Sequence, residues 1–517
     1  MKELAVLVLL AIPAIAPLTY PGFFQTHRTF IPIYNLYDLA VHFPHLSWNP
    51  LGEGGLLAYY VAWGFHKLGL PGVEAVKAVY GLGIVLGAMG IYLWCSRWAG
   101  KRAALVAALI YVYLPYNLAT IYIRGALDEA LFLGLLPWLF WGLRPLGQRQ
   151  EEGTKRAHSL SGYIVAVLVG GLLALCHPGL ALIGLIAAGI YALFHRRWIF
   201  PLAMPVVYYG TCKALALLNP MGRLFPASGE FFGHFVLPFQ LFSASWSFSP
   251  STPGWIEDMP FQLGVVAMAL GFFTALRWLR DRDGEVGFSL GLTCICIFLS
   301  LPPAALFWRI SGVWRWLEYP WQVLVLAGLG LAVLAGAVLK YEQRLNVWPF
   351  WAGLITLTLL GSYRYLEPNF VSQRPRPVPL AIVGDNNAIL VDCSYERLPE
   401  PGGAIKVKLL WQAVRPFDAD YTVFVHLVDQ ADRKWGQRDQ MPLNGEKPTS
   451  RWKPGELILD EYPIEVSKEA PTGPFNLAIG MYRWDTGERL PVRGREDGRA
   501  LIPLNICHFS PSQLQPK

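Results

Sequence analysis

Residues 54–70, GGLLAYYVAWGFHKLGL, decide how the chain is threaded. They are apolar, yet fall short of the roughly 20 residues that a helix needs to cross a hydrocarbon core. Longer apolar runs lie near 3–20, 74–96, 103–121, 125–144, 161–177, 178–195, 198–218, 262–280, 286–305, 321–340 and 346–363. The connections between them sort by charge. Those at 97–102, 144–156, 195–197, 277–282 and 340–344 are basic, and short basic connections stay cytoplasmic. All five fall on the inside only if the N-terminus is cytoplasmic and 54–70 does not cross. That stretch therefore reads as a helix lying at the outer interface, with Tyr59, Tyr60 and Trp63 at headgroup depth. The predicted architecture has about eleven transmembrane helices, N-in, with the C-terminus outside.

Composition agrees. Of the 517 residues 54% are hydrophobic and only 15% charged, where a soluble chain carries about 25% charged residues. The mean hydropathy is +0.36. The net charge of +7 lies in short clusters between apolar runs. It marks topology and does not indicate a nucleic-acid partner. The N-terminus has the basic start and apolar run of a signal peptide. Pro17 follows Ala-Ile-Ala, where a cut is disfavoured, so it reads as a retained first span. Seven cysteines are scattered singly, without zinc spacing; five lie in apolar segments. Cys393 and Cys507 flank the C-terminal region and can pair if it lies outside the cytoplasm.

Upstream of 54–70 the chain is dense in polar and aromatic groups. Residues 31–55, IPIYNLYDLAVHFPHLSWNPLGEGG, hold Asp38, His42 one helical turn later, His45, Trp48, Asn49 and Glu53. The connections 115–124, 219–260 and 302–320 share its side of the membrane. Arg124, Asp128 and Glu129 (YIRGALDEA) enter a span; His177 marks the turn between spans 161–177 and 178–195; Glu257 and Asp258 precede 262–280; Arg315, Glu318 and Gln322 precede 321–340. Ionisable groups at span depth are costly unless paired or facing water, so they mark functional sites. Their shared side predicts a single outward cavity. The blander alternatives stay open. Asp38 can cap the helix that holds His42, Asp128 and Glu129 can complement a helix dipole with Arg124 as partner, and a turn histidine such as His177 is commonly structural.

The functional alternative is specific. A lipid-linked sugar presents its phosphate at the membrane surface and its anomeric carbon just outside. Transfer needs a carboxylate for the acceptor's proton and cations for the departing phosphate. Asp38, with His42 and Glu129, suits the catalytic role; Arg124 and Arg315 suit the phosphate. Asp128, His177, Glu257, Asp258 and Glu318 complete the substrate-binding set. No Gly-rich phosphate loop occurs, so no ATP is called for.

From about residue 365 the composition becomes that of a soluble domain. A proline-rich linker, 366–379, ends in SQRPRPVP, and 380–510 alternate with period two (AIKVKLLWQAV, YTVFVHLVD, ELILDEYPIEV, FNLAIGMYRW). Turn residues separate these runs, which predicts an all-β sandwich behind a transmembrane domain of 1–365.

Several segments carry a family resemblance. DLAVH (38–42), WNPLGEG (48–54), YIRGALDEA (122–130) with LLPW, LLALCH (172–177) and WRWLEYPWQ (314–322) resemble multispanning bacterial proteins labelled 6-pyruvoyl-tetrahydropterin synthase-related. Nothing here resembles the zinc-binding histidines of the soluble pterin enzyme. The order of elements resembles the GT-C superfamily of polyprenyl-phosphate-dependent glycosyltransferases. FVHLVDQ, QRDQMPLNG, PTSRWKPGELILDEY, PTGPFNLAIGMY and TGERLPV resemble a β-sandwich found after such domains. The resemblance implies a plasma-membrane enzyme. Its partners would be a polyprenyl-phosphate sugar, membrane lipid, and an envelope glycan, lipid or protein acceptor. It places the catalytic acid in the first outer loop, at Asp38. Related proteins typically carry Arg where this chain has Gln322. Many GT-C enzymes use paired acids or a divalent metal; the first loop here has no DxD or Asp-Glu pair, so a metal stays open. The competing expectation is a non-catalytic GT-C-like scaffold or envelope-assembly subunit. A third expectation, a transporter, would call for broken or charged spans, often in two similar halves, and neither stands out in the sequence.

Overall fold

The computed structural model describes residues 2–145, 152–243, 247–254 and 259–509. The chain divides into two compact units: Met1–Phe24 with Asp38–Ser372, and Gln25–Tyr37 with Gln373–Lys517.

The first unit is helical. Its helices, with α2 shared between the units, are α1 (Lys2–Ile15), α2 (Ile31–His42), α3 (Leu57–Lys67), α4 (Gly72–Ser96), α5 (Lys101–Tyr113), α6 (Pro115–Tyr122), α7 (Leu127–Leu143), α8 (Glu152–Cys176), α9 (Pro178–Phe194), α10 (Ile199–Leu218), α11 (Val265–Asp281), α12 (Gly284–Ser300), α13 (Ala305–Ser311), α14 (Leu324–Tyr341) and α15 (Trp348–Ser362). A helix stands at each of the eleven apolar runs. Among the described residues three, Gly72–Ser96, Ile199–Leu218 and Pro320–Tyr341, are long and apolar enough to cross a membrane, or up to five if each bent pair is one span. The bent pairs have a local cause. Pro115 follows α5 and the chain turns by 41°; Pro302 follows α12 and it turns by 86°. Proline supplies no N–H to continue a helical ladder. α14, apolar all round and buried from Leu324 to Leu339, packs against α5, α11 and α12. A helix apolar on every face belongs in such a core.

α3 occupies most of the short apolar segment 54–70. At 11 residues it is about 16 Å long, roughly half of a hydrocarbon core. Trp63 stacks on Phe43 at 4.3 Å, and Tyr60 Oη donates to Pro44 O at 2.8 Å. A two-residue strand β1 (Phe23–Phe24) pairs with β2 (Phe370–Val371) inside the same unit.

Charged groups from the ends of several helices meet at one end of this unit. Arg144 caps the C-terminus of α7 and pairs with Glu285 in the first turn of α12. His195 Nε2, just past α9, lies 3.0 Å from the same carboxylate, and Tyr191 Oη donates to both its oxygens at 3.1 and 3.0 Å. Lys340 near the end of α14 pairs with Asp283, and Arg277 of α11 reaches Glu342 at 3.0 Å. Arg97 donates to Trp141 O at 2.5 Å and lies over the Trp141 ring. Residues from all five basic connections or the turns leading into them are therefore engaged: Arg97, Arg144, His195, Arg277 and Lys340 by acids or carbonyls, and Arg197 by the face of Tyr163.

The second unit is β. Strands β3 (Ala381–Val383), β4 (Ala388–Glu396), β5 (Ala404–Ala413), β6 (Tyr421–Val428), β7 (Lys434–Gln440), β8 (Leu457–Glu465), β9 (Asn476–Arg483), β10 (Ala500–Pro503) and β11 (His508–Phe509) form two sheets, ordered β10-β9-β6-β7 and β11-β4-β5-β8, with β3 beside β4. Inward residues of both, among them Trp411, Val423, Val425, Tyr462 and Ile479, share one core. Cys393 of β4 is disulfide-bonded to Cys507. Residues 25–37 join this unit, an arrangement that composition does not reveal. Phe30 N donates to Gln412 Oε1 at 3.2 Å, Gln412 Nε2 donates to Arg28 O at 3.0 Å, and Thr29 Oγ1 donates to Gly455 O at 2.6 Å.

Candidate functional site

Asp38 lies in the last turns of α2 and not at its N-cap, which corrects the capping expectation. Its carboxylate organises the loop that follows. Ser47 N and Ser47 Oγ donate to it at 2.6 Å each and Trp48 N at 2.9 Å. His42 Nδ1 stands 3.2 Å from Asp38 Oδ1 and 3.1 Å from Ser47 Oγ. Asp38 is largely covered (side chain 12% exposed), whereas His42 is half exposed at 51%.

Further on, Asn49 and Asn219 hold the backbone of Glu53: both side-chain amides donate to Glu53 O, at 2.7 and 2.8 Å. Tyr59 Oη donates to the Glu53 carboxylate at 2.7 Å. The loop then presses against the α8–α9 turn. Leu56 N donates to Leu175 O at 2.8 Å, and a Cβ on Gly55 would stand 1.7 Å from Cys176 O, so only glycine fits. The other side of that turn is equally close to the segment before α14: a Cβ on Gly179 would stand 1.8 Å from Trp316 O.

Between these segments lies a buried polar cluster. Glu129, in the first turn of α7 and fully buried, is paired with Arg124. Gln322 Nε2 donates to Glu129 Oε1 at 3.2 Å, while Gln322 Oε1 accepts from Glu318 N at 2.9 Å and Tyr319 N at 3.1 Å. His177 ends α8 and caps α9. Its Nδ1 accepts from Leu180 N at 3.2 Å, and its Nε2 faces Gln322 Nε2 at 3.5 Å. The Arg124 guanidinium lies over the Trp321 ring at 4.6 Å and donates to Thr120 Oγ1 at 3.3 Å. Asp128 is buried beside Glu129.

The expected residues thus form two groups joined by loop 47–56. Asp38 and His42 stand at its start; Arg124, Asp128, Glu129 and His177 belong with the turn at its end. Arg315 and Glu318 are exposed, with the Arg315 guanidinium 5.9 Å above its neighbour Trp314. Glu257 and Asp258 lie outside the described residues. Among the described residues no three His, Cys, Asp or Glu side chains stand together to hold a metal.

Sequence reasoning missed several participants. Ser47 carries no motif, yet it supplies two of the three donors on Asp38. Ser251 Oγ accepts from Trp321 Nε1 at 3.1 Å and lies 2.8 Å from His234 Nδ1. His234 packs edge-on to Tyr319, which stacks on Trp321 at 4.9 Å. Burial pushes the His234 imidazole below its ordinary pKa, with Glu230 opposing. Only the aromatic density of WRWLEYPWQ gave any signal for this layer.

Comparison with known proteins adds the following. The Archaeoglobus fulgidus oligosaccharyltransferase in its apo form is 12% identical over 72% of this chain and 57% of its own, with a TM-score of 0.42. The same figures hold for Archaeoglobus fulgidus AglB in complex with an inhibitory peptide and a dolichol-phosphate. ArnT from Cupriavidus metallidurans bound to undecaprenyl phosphate is 15% identical over 68% of this chain and 61% of its own, with a TM-score of 0.41. The chain therefore spans less than two thirds of each of these structures. No curated protein matches the sequence. Residues 57–301, from α3 to the end of α12, match the family described as 6-pyruvoyl-tetrahydropterin synthase related domain, a membrane protein, which is the resemblance that the motifs around Arg124, Glu129 and His177 carry.

Proposed function

We propose that the chain is an integral membrane glycosyltransferase of GT-C type. It moves a sugar from a polyprenyl-phosphate donor to an envelope glycan, lipid or protein on the outer face. The observation that carries this reading is the gathering of loop 47–56, the α6–α7 turn, the α8–α9 turn and the segment before α14 at one end of the helical unit, opposite the basic end. The same observation supports eleven crossings with the N-terminus inside, because the basic connections then face the cytoplasm. The Cys393–Cys507 disulfide suits an extracytoplasmic second unit.

In the proposed step the acceptor oxygen or nitrogen attacks the anomeric carbon. The bond from that carbon to the phosphate oxygen breaks, its electron pair leaves with the phosphate, and the acceptor's proton passes to a carboxylate. Asp38, flanked by His42, takes the proton; Glu129 is the second candidate. Arg124 and Arg315 stabilise the phosphate. Asp128, His177 and Glu318, with Glu257 and Asp258, bind substrate.

One observation favours the scaffold alternative: Asp38 spends its oxygens on Ser47 and Trp48, and Glu129 is paired with Arg124. A panel of radiolabelled polyprenyl-phosphate sugars, offered to membranes holding wild type or Asp38→Asn at equal amounts, separates the readings. Transfer by wild type and its loss in the variant is expected. Absence of transfer with every donor and acceptor class contradicts the enzyme.

A further inference from the structure

Three neighbouring strands of one sheet in the β unit stop in register. Asn476, the first residue of β9, stands opposite Val428, the last of β6, and Pro503, the last of β10. The other sheet ends beside them, where β4 passes Tyr395 and the chain turns toward β5. Between the two sheet ends lies a cleft of about 590 Å³, within the range of roughly 300–1,000 Å³ usual for small-ligand sites. Buried Tyr395, Phe475 and Leu504 supply its apolar surface, with four prolines around them. Its polar groups are Gln430, Thr472, Asn476 and Asn505, and its one charged residue is Glu400. Among the described residues none of those four uncharged side chains has a hydrogen-bond partner in the protein.

The backbone that carries these groups is held in place. Leu504 N donates to Phe475 O at 3.0 Å and Gly403 N to Glu400 O at 2.9 Å. Asp429 Oδ1 accepts from Ala431 N at 2.9 Å and Arg433 N at 3.0 Å, which closes the turn that bears Gln430. The Cys393–Cys507 disulfide ties the strand of Tyr395 to the segment of Asn505. A site fixed in advance spends little on ordering when a ligand arrives.

The chemistry of the lining selects the ligand. No Lys, Arg or His is among the lining residues, so a phosphate or carboxylate meets no cation here. A peptide that extends a sheet needs an open strand edge, and this cleft lies across strand ends. A purely apolar ligand would leave three amides and a hydroxyl unsatisfied. A sugar hydroxyl both donates and accepts, as each amide does, and the C–H face of a pyranose packs against flat apolar rings. We infer that the cleft binds a neutral glycan, a short run of uncharged sugar residues. The inference needs neither the transferase nor the scaffold reading, since no group proposed for transfer lies in the β unit.

The test uses the full chain in nanodiscs and ligand-detected saturation-transfer NMR. The probes are chitotetraose, maltotetraose and mannotetraose, with tetragalacturonate and a hexaproline peptide for comparison. At least one neutral oligosaccharide should respond, and tetragalacturonate should not. Gln430→Ala and Asn505→Ala, both at exposed positions, should keep the wild-type melting temperature. Each should weaken binding about threefold to tenfold, the worth of one hydrogen bond. A Cβ on Gly473 would meet nothing within 4 Å, so Gly473→Trp should fold, fill the cleft and abolish the response. No response to any neutral probe at millimolar concentration overturns the inference. So does a response that Gly473→Trp leaves intact, because the sugar then binds elsewhere. An equal response to tetragalacturonate overturns it too, and a response to hexaproline alone makes the cleft a peptide site instead. Sugar transfer is scored separately. Its absence would sink the enzyme reading alone, and absence of oligosaccharide binding would sink this inference alone.

Discussion

The two polar ends of the helical unit use the same residue types differently. α7, α9 and α14 each run from one end to the other. At their C-terminal ends Glu285 is saturated by Arg144, His195 and Tyr191, and Asp283 by Lys340 and two backbone N–H groups at the start of α12. These ion pairs pin helix termini together. At their N-terminal ends Glu129 pairs with Arg124 and accepts from Gln322, whose Nε2 also lies 3.5 Å from His177 Nε2. Ion pairs between helix ends serve architecture; a polar cluster where loop 47–56, two helix turns and the segment before α14 meet is where the proposed site stands. The contrast separates groups that sequence alone ranks equally.

The largest effect that would break this contrast concerns the close approach at the site end. Gly179→Ala puts a methyl group against Trp316 O. It should cost about 3 kcal/mol or more and lower the thermal midpoint in detergent sharply. Gly291→Ala in α12, with nothing within 4 Å, should be silent. A wild-type midpoint for Gly179→Ala would show that the α8–α9 turn and the segment before α14 do not meet.

Next in size is the basic end. Glu285→Ala leaves Arg144 and His195 without their carboxylate and should cost about 3–5 kcal/mol. Transfer per folded molecule should remain, because the proposed site lies at the other end. Lost transfer at full folding would merge the two ends into one functional network.

Asp38→Asn sharpens the site end itself. Asparagine can keep an amide oxygen for Ser47 N and Trp48 N, but its nitrogen cannot accept from Ser47 Oγ, so loop 47–56 should loosen by about 1 kcal/mol. Faster proteolysis within that loop at an unchanged global midpoint is expected. An unchanged loop would mean that Asp38 does not organise it.

The smallest effect belongs to the β unit. Glu461 is held below its ordinary pKa by Lys406 and Lys408, and Asp432 and Asp497 by Arg499. A depressed folded-state pKa gives stability that is present above the unfolded value and lost as pH falls through the folded one. The unit's thermal midpoint should therefore be flat from neutral pH down to about 5 and fall below about 4. A midpoint that rises on acidification would contradict these pairings.

Much of this fold could be read from residues. Apolar runs and turn prolines located the helices, and period-two segments such as AIKVKLLWQAV located strands β5, β6, β8 and β9, because each follows from local periodicity. The grouping of residues 25–37 with the β unit could not be read, since it rests on Gln412 and Gly455, which lie 382 and 426 positions from their partners. The site was half legible. Arg124, Glu129 and His177 were visible because charge and imidazole stand out at span depth. Ser47, Ser251 and His234 were not: a serine acquires its meaning from what the fold brings to it. Gln322 was noticed as a departure from a family pattern, and its geometry gives it a part that pattern alone does not.

The most direct test compares the two ends in one assay. Transfer from a radiolabelled polyprenyl-phosphate sugar is measured for wild type, Glu129→Gln and Glu285→Gln at equal amounts of folded protein. Loss of transfer in Glu129→Gln with transfer kept in Glu285→Gln is the predicted result. Equal activity in all three, or loss confined to Glu285→Gln, would contradict the placement of chemistry at the N-terminal ends of α7, α9 and α14.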